Sequence, residues 1–150
     1  MPITPQWLRS LFTGKNNPDV DYFNVAANQT IKAGDFVQIN ATSGLLEAAA
    51  SASTTIVGLA NGSITTGATV TDENIPVVLV KNAVVRMNFS NGGTKKTFTQ
   101  ADLYTKAFDI SNPTTVNPDD TTNGMMQVVA YDNDKLTVDV VITSASQYLK

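Results

Sequence analysis

Residues 75–89 read IPVVLVKNAVVRMNF, with Lys81 and Arg86 the only charges among β-branched, aliphatic and aromatic side chains. Such a run favours strand over amphipathic helix, because branched and aromatic side chains pack well on a pleated surface. Val77, Val78, Leu79 and Val80 are apolar without interruption, as in a strand covered on both faces. Beyond Asn82 the pattern alternates, with Val85, Met87 and Phe89 on one face and Val84, Arg86 and Asn88 on the other. Asn tolerates positive φ, so Lys81-Asn82 predicts a tight hairpin turn between two strands, a bulge within one long strand being the alternative.

Further along the chain, the same pattern predicts strands at 36–39 (FVQI), 45–47, 56–60 (IVGLA), 125–131 and 136–143, the last two joined by a hairpin turn at 132–135. Gly58 marks a bulge or a close backbone approach. Residues 48–55 (AAASASTT) read as loop, 90–93 (SNGG) as a turn, 111–124 (SNPTTVNPDDTTNG) as a long exposed mobile loop, and 144–150 as a polar tail. The segment 101–110 is ambiguous between helix and strand until an internal echo is noticed. TIKAGDFVQI, from Thr30, aligns at one constant offset with the stretch from Thr97, pairing Ile31 with Phe98, Asp35 with Asp102 and Val37 with Tyr104. Each copy then leads to a small-apolar strand and a valine-rich strand. The chain therefore reads as all-β, a small barrel or sandwich of two loosely similar halves, with strand over 102–110.

The N-terminus departs from this pattern. In residues 4–14 (TPQWLRSLFTG), Thr4 suits an N-cap, Pro5 the first helical position and Gly14 the C-terminal cap, while Trp7, Leu8, Leu11 and Phe12 form one apolar stripe at helical spacing. The predicted helix is too short to be stable alone, so it needs a surface, its own body or a neighbour's. A polar linker follows, giving an arm over 1–21 and a β-rich body over 22–150.

Composition then narrows the chemistry. The 150 residues contain no Cys and no His, which removes disulfides, thiolate sites, and both the commonest metal ligand and the commonest general base. The net charge of −3 and a longest basic run of Lys95-Lys96 give no support to nucleic-acid binding. No apolar run approaches a membrane span, and no signal peptide is visible. Asp119-Asp120 and Asp132/Asp134 read as solvated turn carboxylates rather than a Ca²⁺ site, which needs six or more oxygens. Asp72-Glu73 has no facing acid to make a glycosidase pair, and Gly14-Lys15 lacks the flanking residues of a phosphate loop. No catalytic residue, metal or cofactor is assigned. Arg86 stands out on an apolar strand; it either pairs with an acidic residue or faces a subunit boundary.

The succession from Gly44 to Phe89, GLLEAAASASTTIVGLANGSITTGATVTDENIPVVLVKNAVVRMNF, resembles the core of tailed-phage head decoration proteins, the lambda-like family and related capsid-cement proteins. The features that carry it are the strand at 56–60, the variable polar loop at 61–74 and the V-K-x-A-x-x-R pattern at 80–86, preceded by Gly34-Asp35-Phe36-Val37. The resemblance covers about residues 33–89, with a weaker echo to Ile142; the longer second half and the Trp7-bearing arm depart from it. It implies a β-rich homotrimer on the outer surface of the virion capsid that binds the major capsid protein and stabilises the shell. The arm residues Trp7, Leu8, Leu11 and Phe12 would contact the capsid or complete a neighbour's sheet. A tail-tube or other oligomeric virion subunit is a second class compatible with the same composition. A carbohydrate-binding module, with Trp7, Tyr22, Tyr104, Tyr131 and Tyr148 as stacking candidates, is a third.

Overall fold

The computed structural model describes residues 2–148 and is all-β. The strands are β1 Gln6–Ser10, β2 Val20–Asn24, β3 Thr30–Ile31, β4 Phe36–Ile39, β5 Leu46–Ala48, β6 Ile56–Ala60, β7 Ile64–Thr65, β8 Asn74–Leu79, β9 Ala83–Phe89, β10 Ala107–Phe108, β11 Ile110–Asn112, β12 Thr115–Val116, β13 Met126–Asp132 and β14 Thr137–Ile142. Seven form one sheet in the order β10-β13-β14-β9-β12-β11, with β1 added to β9; five form a second, β2-β8-β6-β4-β5; β3 and β7 make a small ribbon. In the larger sheet the terminal strands β10 and β11 are separated in sequence by Asp109 alone, so the sheet curls back almost to closure, like a barrel.

Two cores follow. The larger fills the barrel, where Phe98 packs edge-on against Phe89 and Phe108 at centroid distances of 4.8 and 5.1 Å. The smaller lies on the far side of the five-stranded sheet, around Val37, Leu46, Val57 and Val77. That sheet is covered on both faces: within β6, Ile56 and Leu59 join the larger core while Val57 and Ala60 join the smaller. This is why IVGLA and PVVLV run apolar without alternation. At Gly58 a Cβ would collide with the Val78 carbonyl oxygen, so the glycine permits β6 to pack against β8.

The change of pattern at Asn82 has a different cause from the predicted hairpin. A tight turn is present, with Asn82 at φ 54° and the Ala83 amide donating to the Val80 carbonyl at 3.1 Å, yet β8 and β9 lie in different sheets and do not pair. The chain leaves a doubly covered sheet for one with a solvent face, and alternation begins where that face begins.

The two halves are realised as one topology used twice. The order β2-β8-β6-β4 recurs as β9-β14-β13-β10, antiparallel at every step. The aligned aspartates close the same turn: Asp35 accepts from the Lys32 amide and Asp102 from the Thr99 amide, both at 2.9 Å, and each aspartate's amide returns to the corresponding carbonyl at 3.0 Å. The halves diverge just afterwards. Asp35 leads directly into β4, whereas Gln100–Asp102 is a 3-10 turn, Tyr104 takes φ 63°, and the expected strand over 102–110 survives only as β10 and the start of β11.

Three other expectations are corrected. Residues 4–14 are not helical: Gln6–Ser10 pairs antiparallel with β9, with an irregularity at Leu8, and Gly14 (φ 69°) closes a turn back to Ser10. A lone helix of this length cannot outweigh its nucleation cost, whereas the strand satisfies backbone groups along the open edge of β9. The strand thus belongs to the larger sheet, and residues 11–18 connect it to the five-stranded sheet, which the chain joins at the Asp19 carbonyl. Residues 111–124, expected as one long exposed loop, are exposed chiefly at 111–112, 119 and 121–123: β11 and β12 form a hairpin, Val116 is buried beside β9, and the Pro113 carbonyl accepts from the Phe36 amide at 2.9 Å. The polar tail is also docked as far as it is described, since Gln147 is buried and the Tyr148 amide donates to the Ile56 carbonyl; Leu149 and Lys150 lie outside the described residues.

Candidate functional site

The four arm residues part company in the strand. Trp7 is half-buried against the larger core and its indole Nε1–H donates to the Leu79 carbonyl at 3.2 Å. Leu8 and Leu11 are half-buried, and the Leu11 amide donates to the Asn82 carbonyl. Phe12 is left 77% exposed. The helical stripe is therefore divided: three residues sit against this chain's own body and one ring faces water.

Arg86 projects from β9 opposite Asp139 of β14 and Gln6 of β1. Its guanidinium grips Asp139 through two parallel bonds, Nε to Oδ1 at 2.7 Å and Nη2 to Oδ2 at 3.0 Å. The hydrogen bond raises the Arg86 pKa against the lowering effect of partial burial. The Arg86 side chain is 45% exposed, so the pair is a surface ion pair beside an open cleft of about 620 Å³ that Gln6, Asp132, Lys135 and Thr137 also line. Of the two options for Arg86, an acidic partner is present within the chain.

The sequence did not single out Asp102 as a charge centre. Its carboxylate is 1% exposed and accepts from Lys106 Nζ at 2.8 Å, Lys95 Nζ at 2.9 Å, the Thr99 amide at 2.9 Å and Thr99 Oγ1 at 3.2 Å. Burial alone raises a carboxyl pKa; here the hydrogen bonds from Lys106, Lys95 and Thr99 outweigh it and hold the group well below the usual carboxylate range. Asp109, at the closure of the larger sheet, is likewise buried and accepts from Ser51 Oγ, the Ala52 amide at 3.0 Å and the Ile110 amide at 2.7 Å, which ties the barrel seam to the loop after β5. The alignment with Asp35 was the available signal for Asp102; for Asp109 there was none.

Asp119 joins two distant segments, accepting from the Thr94 and Lys95 amides, and Asp132 closes a turn, accepting from the Asp134 and Lys135 amides. Among the described residues no group of three or more Asp or Glu lies close enough to hold a metal ion. Tyr22, Tyr104, Tyr131 and Tyr148 are exposed, and only Tyr131 of the five aromatic stacking candidates borders the cleft beside Arg86.

The second feature missed in the sequence is the outer edge of β2. Pairing of this strand with β8 sets Asp21 opposite Val77 and Tyr22 opposite Pro76. The Leu79 amide donates to the Asp19 carbonyl and the Val25 amide to the Glu73 carbonyl, whereas the Pro76 carbonyl accepts from Asn61 on the β6 side. Residues 19, 21, 23 and 25 therefore direct their backbone groups to β8, Val20 and Tyr22 direct theirs away from the sheet, and from Asn24 the outward side turns toward β5 through the Val25–Leu46 bridge. Val20 and Tyr22 are 48% and 65% exposed. On that edge the Tyr22 amide donates at 2.8 Å to the neighbouring Asp21 Oδ1.

No protein-family model and no curated protein sequence matches this chain.

Proposed function

We propose that the chain is a phage-head decoration subunit: a homo-oligomer, trimeric by the resemblance at residues 33–89, that binds the major capsid protein on the outer surface of the virion and stabilises the shell. The observation that carries this reading is Phe12, a phenyl ring 77% in water on a stretch that stands outside both sheets. Burying such a ring against a partner is worth roughly 1.5–3 kcal/mol, and a shell presents the same partner many times over, so modest contacts become avid. Arg86 is the candidate subunit contact, because guanidinium N–H groups not engaged by Asp139 remain available to a neighbour. The all-β body and the V-K-x-A-x-x-R stretch at the crossing between sheets support the same assignment.

The test is solution mass by light scattering, before and after mixing with empty phage heads. A discrete small oligomer that moves into the head fraction is expected. Rings or filaments in the absence of heads would replace the reading with a tail-tube subunit, and a monomer indifferent to heads would overturn both.

A further inference from the structure

We infer that the outer edge of β2 is an acceptor for an extended, basic segment of a partner protein, added antiparallel as a further strand of the five-stranded sheet. This does not rest on the decoration reading.

Three observations converge. First, the carbonyls of Val20 and Tyr22 and the amide of Val20 face outward from β2 with no strand beside them, whereas at the end of the strand the Val25–Leu46 bridge carries the Asn24 carbonyl to β5. A row of unpaired main-chain groups is a template for strand addition. Second, the equivalent edge in the other half is filled. The repeated topology makes β2 the counterpart of β9, and β9 carries β1, an added antiparallel strand that combines Trp7 and Leu8 with the exposed base Arg9. The other end of the smaller sheet is covered, because residues 25–29 bond to β5 through the Leu46 carbonyl and the Ala48 amide.

Third, the charge of the edge selects the occupant. Exposed Asp19 and Asp21 flank one end of β2 and exposed Asp72 and Glu73 the other, and none of the four is in an ion pair among the described residues. The one base that shares a surface depression with Asp19 is Lys81, so the edge stays acidic. A second copy of β2 laid antiparallel about Tyr22 would set the two Asp21 carboxylates diagonally across the pair and offer neither a base, which disfavours self-pairing. A partner strand alternating apolar and basic residues fits both faces: its apolar residues lie over Val20 and Tyr22, its bases over Asp21.

Asp21 makes the acceptor conditional. Its carboxylate occupies the Tyr22 amide, an outward donor of the edge, and so blunts pairing with neutral strands. An incoming Lys or Arg draws the carboxylate onto itself and frees that amide for a main-chain bond.

The experiment follows the backbone amides of the full-length protein by NMR during titration with a blocked heptapeptide alternating lysine and valine, and with its glutamate/valine twin. The lysine peptide is expected to shift the amides of Val20 and Tyr22, at least tenfold more tightly than the twin, with binding weakened as salt rises from about 0.05 to about 0.5 M. Tyr22→Pro removes the outward amide without touching the bonds to β8 and is expected to abolish the shifts. Should that variant melt early, Asp21→Lys keeps the backbone intact and is expected to reverse the preference between the two peptides. Equal binding of the twins, shifts confined to another surface, no shifts at all, or dimerisation of the protein through this edge would each overturn the inference.

Discussion

Replacing Asp102 by alanine tests the buried carboxylate that Lys95, Lys106 and Thr99 hold in place. The substitution removes a turn-closing bond of the kind whose loss costs about 1 kcal/mol. It also removes two ammonium–carboxylate bonds; because the Lys95 and Lys106 side chains are 30% and 47% exposed and regain water on release, each counts for about 0.5–1 kcal/mol. The sum is about 2–3 kcal/mol, which for a chain of this size lowers Tm by roughly 5–10 °C. The pH dependence gives a sharper test than the size. The folded carboxyl lies below its unfolded value of about 3.9, so its contribution is complete above that value and is lost as pH falls toward the folded one. The stability gap between wild type and variant, from urea unfolding followed by circular dichroism, should be flat from pH 7 to about 5. Below about pH 3.9 it should close by about 1.4 kcal/mol per unit. A gap that keeps its full size at pH 3, or one under about 0.5 kcal/mol at pH 7, would refute the reasoning.

Gly58→Ala forces a methyl onto the Val78 carbonyl and should destabilise by about 3 kcal/mol, measurable as a lower urea midpoint; an unchanged midpoint would mean that β6 and β8 separate freely. Arg86→Ala breaks an exposed bidentate pair, so the fold should lose only about 0.5–1 kcal/mol while the oligomer weakens; unchanged mass by light scattering would remove Arg86 from the subunit contact. Deleting residues 1–17 removes β1 and the Trp7 anchor and uncovers the edge of β9. It should cost roughly 2–4 kcal/mol by thermal melting and reduce binding to heads, and a truncated chain that melts and docks like the full one would contradict both expectations.

Where the environment of a segment is local, the sequence reports it. The break at Asn82 was legible because doubly covered β8 and singly covered β9 need different patterns, and the 132–135 turn because both its strands pair across it. The repeat was legible through Asp35 and Asp102 because the turn fixes the aspartate by a bond three residues back. What failed depends on distant partners. Trp7, Leu8, Leu11 and Phe12 satisfy a helical spacing, and nothing nearby in sequence says that β9 offers an edge that makes strand the better state. Pro113 and Pro118 suggested exposure, while Pro118 and Val116 are buried and the segment is held by the carbonyls of Pro113, Val116 and Asp120, which accept from Phe36, Ser90 and Asp109. The candidate surfaces were half legible: Arg86 was conspicuous as a charge on an apolar strand, but the bare edge of β2 reflects what no other strand covers, which no local pattern encodes.

The pairing of Gln6 with Arg86 has a consequence during synthesis. The first strand leaves the ribosome about 80 residues before the strand it docks on, an interval of roughly 4–16 s at 5–20 residues per second. Throughout that time Trp7, Leu8 and the main-chain groups of 6–10 have no place in the chain's own fold, and a nascent neighbour that already shows β9 can receive them. Crowded translation of many copies from one message therefore favours exchange of first strands between chains, whereas dilute refolding from urea favours each chain closing on itself.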